Sequence, residues 1–178
     1  MTETEELKKI IRERSILKGD FTLVSGRKSS YYINGKMTSL YSRGLYLAAK
    51  LLADIFQEEE YDAIAGPTIG ADPIIGALLT LSAEMGLEKQ GILIRKEQKG
   101  HGTKSLIEGD LKPGMRVILL EDVTTTGGSL LKAADAIIEG GGKITGIYAL
   151  VDREEGASER IAEAGFRFKA LFKVSELL

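Results

Sequence analysis

The sequence has no cysteine and no tryptophan, and only one histidine and three prolines among 178 residues. Without cysteine there are no disulfides and no thiolate metal sites. A single histidine leaves little material for a zinc centre. No apolar run approaches the roughly 20 residues that a membrane-spanning helix requires. The first residues are polar and acidic, unlike a signal peptide. A net charge of −2 gives no basis for nucleic acid as a bulk partner. There is no internal repeat, low-complexity tract or Pro/Gly-rich linker. The expectation is one cytoplasmic domain with no membrane and no nucleic acid as partner.

What is present is an alternation of strand-like and helix-like stretches. The chain is 43% hydrophobic and 28% charged, a globular balance, and long enough for a substantial core. Thr2 and Glu5 fit a capping box, and Leu7, Ile10, Ile11 and Leu17 predict an amphipathic helix ending near Gly19. Residues 21–34 carry β-prone runs on either side of Ser25-Gly26-Arg27-Lys28 and predict a hairpin outside the main sheet. Leu45, Ala48, Ala49, Leu52, Ile55 and Phe56 occupy the rows of a helix starting near Ser42. Residues 62–67 read as a short buried strand that breaks into a Gly/Pro turn, 66–73, before a helix bearing Ile74, Ile75, Leu78 and Leu79. Asp72 in that turn is either a helix N-cap or a ligand-facing group. Further strands are expected at 91–95, 117–120, 144–151 and 166–172. Helices are expected from Leu130 to the glycines at 140–142 and near 158–164. The pattern predicts a single α/β domain, 1–178, with a parallel central sheet flanked by helices. A small N-terminal hood takes about 1–40 and the core about 41–178.

The chemistry concentrates in residues 116–131. Four apolar residues, Val117–Leu120 by number 117–120, read as a strand buried on both faces. Glu121 and Asp122 follow, then Val123, Thr124, Thr125, Thr126, Gly127, Gly128 and Ser129 before the next helix. Glycines let backbone N–H groups approach an anion, hydroxyls add donors, and the helix that follows directs its positive end at the same place. An acid pair after a strand is often a helix cap with a solvated neighbour, and Thr/Gly-rich loops are common. Together they suit one ligand that offers vicinal hydroxyls and a phosphate a few ångströms apart, as a phosphorylated sugar does. Neither a P-loop signature nor a dinucleotide-binding glycine pattern occurs in the chain.

The stretch E-D-V-T-T-T-G-G-S resembles the phosphoribosyl-pyrophosphate (PRPP) motif of type I phosphoribosyltransferases. F-T-L-V-S-G-R-K-S-S-Y-Y-I-N resembles the hood of the orotate phosphoribosyltransferases within them, and R-K-E-Q-K-G-H-G resembles their catalytic loop. On its own residues that loop, 95–109, is a basic glycine-flanked segment, more often solvated than functional. The resemblance spans residues 21–153. It departs at Val24, where many members carry a lysine, and at Ile69-Gly70, where some carry a Tyr-Lys pair. The resemblance implies transfer of the 5-phosphoribosyl group of PRPP to orotate, giving orotidine 5′-phosphate and pyrophosphate in pyrimidine (UMP) biosynthesis. It implies Lys99, His101 and Asp122 as catalytic residues. PRPP would be held by Arg95, Lys96, Lys99, His101, Glu121, Asp122, Val123, Thr124, Thr125, Thr126, Gly127, Gly128 and Ser129. Orotate would meet Tyr32, Ile33, Thr125 and Arg153, although Arg153 by itself reads equally as capping its own helix or pairing with Glu154. Mg²⁺ would arrive on PRPP, with no ligand directly from the protein. A homodimer with shared sites is also implied, Lys99 and His101 acting on the partner's site. The alternatives are a phosphoribosyltransferase for another nucleobase and a PRPP-sensing regulator on the same fold.

Overall fold

The computed structural model describes residues 1–22, 26, 28–97 and 106–178. Val24 and Arg27 of the expected hairpin, and Lys99, His101 and Lys104 of the basic segment, lie outside the described residues.

The first helix, α1 (Glu3–Arg14), begins where Thr2 Oγ1 accepts from the Glu5 N–H at 3.2 Å. It stops at Ser15, earlier than the apolar spacing predicts. The Ser15 hydroxyl is buried against that of Thr38 at 2.7 Å. The next residues pair instead as β1 (Ile16–Thr22) with β2 (Lys28–Ile33), antiparallel, with Leu17 opposite Tyr32. Leu17 is thus an exposed strand residue and not the last apolar position of a helix. The hairpin stands apart from the main sheet, as expected.

After a short α2 (Lys36–Ser39) and α3 (Ser42–Phe56), the main sheet is built from β3 (Ala63–Pro67), β4 (Gln90–Ile94), β5 (Ile107–Glu108), β6 (Arg116–Thr124), β7 (Lys143–Asp152) and β8 (Phe168–Lys173). The order is β5-β4-β3-β6-β7-β8. β4, β3, β6, β7 and β8 run parallel, while the two-residue β5 pairs antiparallel at the edge. β3 and the middle of β6 are wholly buried, which is why they read as unbroken apolar runs. α4 (Asp72–Glu84), α5 (Gly128–Glu139) and α6 (Ala157–Glu163) connect the strands.

Alternation along β6 divides the core. Ile118 and Leu120 join the cluster formed with α1, α3 and α4, whereas Val117 and Leu119 face Leu130, Ala134 and Ile137 of α5. The chain runs from β3 outward to β4, then returns to the other side of β3 with β6. Strand order therefore reverses between β3 and β6, the place where open α/β sheets open a crevice at their C-terminal edge.

Candidate active site

A cavity of about 860 Å³ opens at this reversal. One wall is the last residue of β3 with the turn that follows it, 67–70, and the other is the end of β6 with the loop into α5. Thr125, Thr126, Gly127, Gly128 and Ser129 line it together with Glu121, Asp122, Val123, Arg95, Lys96 and Lys36. Gly127 has φ of 73°, a conformation that favours glycine, and α5 begins at the next residue, two earlier than expected. The loop amides therefore lie at the helix N-terminus, where backbone donors have no intrahelical acceptor and the dipole favours an anion.

β6 extends four residues beyond its apolar run, to Thr124, so the two acids belong to the strand itself. Being consecutive, they diverge to opposite faces. Glu121 turns to the α5 side, where both its oxygens accept from the Ser129 hydroxyl at 2.8 and 2.9 Å. Burial pushes its pKa up to about 7, and the Asp122 charge adds to this; the Ser129 hydrogen bond and the Lys96 charge act against it.

Asp122 turns to the other face and is buried. Burial raises its pKa, opposed by the Val123 N–H donating at 2.9 Å and by the charge of Lys36. Two glycines make room for this carboxylate. A Cβ on Gly35 would lie 2.5 Å from Asp122 Oδ2, and one on Gly70 would overlap Asp122 Oδ1. Main chain from α2 and from the post-β3 turn thus closes around the acid. The turn contains a cis peptide between Thr68 and Ile69.

The remaining expected residues divide. Thr124 ends β6 with its side chain buried and Oγ1 without a partner, apart from the cavity lining; its carbonyl accepts from the Arg153 N–H at 3.0 Å. Arg95 lines the cavity while its Nε donates to Glu108 at 2.7 Å. Asp72 lies in the first turn of α4 with Ala71 at the N-cap, so it is not the capping residue. Arg153 is buried, but its partner is Glu155 at 2.9 Å and not Glu154, and its guanidinium lies 5.0 Å over the Tyr31 ring. Ile33 is a core residue, and Tyr32 packs exposed beside Phe21 at 5.8 Å.

Sequence reasoning missed Lys36, Tyr31 as the partner of Arg153, and Glu155. The one available signal for Lys36 was a cation directly after Asn34-Gly35, and nothing local ties it to residue 122. A neighbouring groove of about 740 Å³, lined by Leu131, Arg160 and Phe166, shares Gly128, Ser129, Lys132 and Asp135 with the cavity but neither Glu121 nor Asp122.

A cavity at the strand reversal, with a glycine loop and two acids at its rim, defines an α/β protein whose ligand site lies at the C-terminal edge of a parallel sheet. Residues 38–173 match the phosphoribosyl transferase domain. The chain is 45% identical to an orotate phosphoribosyltransferase of Rhodopseudomonas palustris over 95% of its length and 92% of that protein. It is 46% identical to the orotate phosphoribosyltransferase of Pyrococcus furiosus, with 97% and 94% covered. Among solved structures, the Mycobacterium tuberculosis orotate phosphoribosyltransferase in complex with PRPP superimposes with a TM-score of 0.84 at 31% identity, covering 99% of each chain. The chain belongs to the phosphoribosyl transferase family and, within it, to the orotate phosphoribosyltransferases.

Proposed function

We propose that this chain transfers the 5-phosphoribosyl group of PRPP to orotate, releasing pyrophosphate and forming orotidine 5′-phosphate for pyrimidine biosynthesis. The observation that carries the reading is the rim of β6, where Glu121 and Asp122 diverge beside a glycine loop that opens α5. In this reading the 5′-phosphate accepts from the amides and hydroxyls of Thr125–Ser129, by number 125–129. The ribose diol donates to Glu121 and Asp122. Val123 packs against Gly35 and shapes the floor, and Thr124 contributes by fixing the end of β6 beside Arg153. Transfer breaks the bond from the anomeric carbon to pyrophosphate, and N1 of orotate forms the new one on the opposite face. Orotate N1 is acidic enough that no strong base is required. The leaving oxygen gathers negative charge, and Arg95, Lys96, Lys99 and His101 are the groups assigned to it. Arg153, with Nε committed to Glu155, keeps its terminal nitrogens for the planar carboxylate of orotate, and Tyr32 and the Ile33 backbone border the ring.

Among the described residues no group of three His, Asp or Glu converges on a point that would hold a metal ion. The hard carboxylate oxygens of Glu121 and Asp122 nevertheless suit the surroundings of a Mg²⁺ that arrives on the substrate's own oxygens. Bound there, Mg²⁺ would supply neutralising charge to the pyrophosphate. A homodimer with loops crossing between sites belongs to the proposal; the exposed Met37, Leu40, Tyr41 and Tyr46 are apolar surface that a second copy would cover. A cytoplasmic location goes with it, since both substrates are anionic and do not cross membranes unaided.

The test is to mix purified protein, PRPP, Mg²⁺ and orotate and follow loss of orotate absorbance, with adenine, hypoxanthine and uracil as competitors. Consumption of orotate alone is the expected result. Turnover of a purine instead would transfer the assignment to another nucleobase. PRPP binding without turnover of any base would make the protein a sensor.

A further inference from the structure

The two acids of β6 face opposite sides of the sheet, and the cations around them are divided in the same way. Lys96 is the positive charge felt by Glu121, and Lys36 the one felt by Asp122. On the Asp122 side, the wall formed by Pro67, Thr68, Ile69 and Gly70 contributes no charged side chain. PRPP brings a pyrophosphate with several negative charges to this cavity, and a wall without a cation leaves much of that charge uncompensated.

Lys36 lines the same cavity and is only partly exposed. It forms no direct ion pair with a carboxylate among the described residues. Its backbone is firmly placed: the Asn34 N–H donates to the Ser15 carbonyl at 2.8 Å, and the Thr38 and Ser39 N–H groups donate to the Gly35 carbonyl at 3.0 Å. Thr38 and Ser39 are buried, and Gly35 is in close packing with Asp122. The result is a lysine on a fixed turn, beside the acid and in the same cavity as the uncharged wall. With the 5′-phosphate at the start of α5 and the diol at the acids, the substituent on the anomeric carbon extends toward residues 67–70 and Lys36.

We propose that the Lys36 ammonium binds the pyrophosphate of PRPP and stabilises its charge as it leaves. This rests on the PRPP reading of the cavity. It assigns to the Asp122 side a cation that the post-β3 turn lacks. A point charge on a flexible stem can follow the leaving group as it separates, which a fixed guanidinium fork does less readily.

The experiment uses two fragments of PRPP in place of the whole. Calorimetry in Mg²⁺ measures pyrophosphate and ribose 5-phosphate separately on the wild type, Lys36→Met and Lys36→Arg. Lys36→Met should weaken pyrophosphate at least about tenfold, the loss expected for one charge-assisted contact. It should leave ribose 5-phosphate within about twofold of wild type by the same reasoning, and Lys36→Arg should recover most of the pyrophosphate affinity. Equal weakening of both ligands would overturn the proposal, because Lys36 would then act only through Asp122; so would no change in either. A wild type that binds neither ligand would instead bring down the PRPP reading itself. Should Lys36→Met not fold, acylation of lysines on the wild-type protein decides the matter. Pyrophosphate should shield Lys36 and ribose 5-phosphate should not, and an unshielded Lys36 overturns the assignment.

Discussion

The Glu121 carboxyl gives a pH dependence that can be worked from its surroundings. Its pKa in the free protein is about 7, against an ordinary 4.5, chiefly because burial disfavours the charged form. PRPP needs this group as a hydrogen-bond acceptor for a ribose hydroxyl, so the ionised form is the binding form. With a pKa of about 7, roughly one molecule in eleven is ionised at pH 6 and ten in eleven at pH 8. PRPP affinity should therefore rise about tenfold between those values, about 1.4 kcal/mol. The pyrophosphate of PRPP titrates in the same range, so the control is Glu121→Gln, which keeps the ligand's own titration and removes this one. Calorimetric Kd values from pH 6 to 8 should show a wild-type slope steeper than that of Glu121→Gln by about half a proton on average, tenfold over two pH units. Parallel slopes for the two proteins would refute the reasoning. Stability moves in the opposite sense. The folded free protein retains the proton that the unfolded chain loses near pH 4.5, so stability falls as pH rises from about 4.5 to about 7, by up to roughly 3 kcal/mol. Saturating PRPP should offset that fall, and thermal melts with and without ligand measure it.

Gly70→Ala places a methyl group against Asp122 Oδ1 and should reduce kcat/KM by at least about tenfold while circular dichroism stays unchanged; full activity would mean that the turn yields freely. Arg153→Lys removes both the fork and the Nε–H donated to Glu155, so KM for orotate should rise roughly ten- to hundredfold with little change for PRPP. Equal effects on both substrates would count against Arg153 as the orotate contact. Lys99→Ala should lower kcat by roughly 10²–10³-fold. Mixed with equal Asp122→Asn subunits, it should regain about a quarter of wild-type activity, because half the dimers then hold one intact site; no regain means that Lys99 serves its own subunit.

The sequence by itself determined the local devices. Residues 116–131 carried the buried strand, the two acids and the glycine loop within one short stretch, where spacing alone fixes backbone geometry. The hairpin at the N-terminus and the helix at Ser42 were legible for the same reason, since strand and helix periods are written in neighbouring residues. Tertiary structure decided what depends on distant partners. α1 ends at Ser15 because that hydroxyl meets Thr38 and the following residues pair with β2, a competition that the spacing of Leu7, Ile11 and Leu17 does not encode. The strand reversal between β3 and β6 follows from packing and not from period. The surroundings of Asp122 come from Gly35, Lys36 and Gly70, which lie more than fifty residues before it in the chain. Arg153 acquires its orientation from Glu155 and from Tyr31 on the hairpin. A residue's own sequence neighbourhood reveals which face it occupies, but which charge or backbone fills the space opposite is settled only when the layers close.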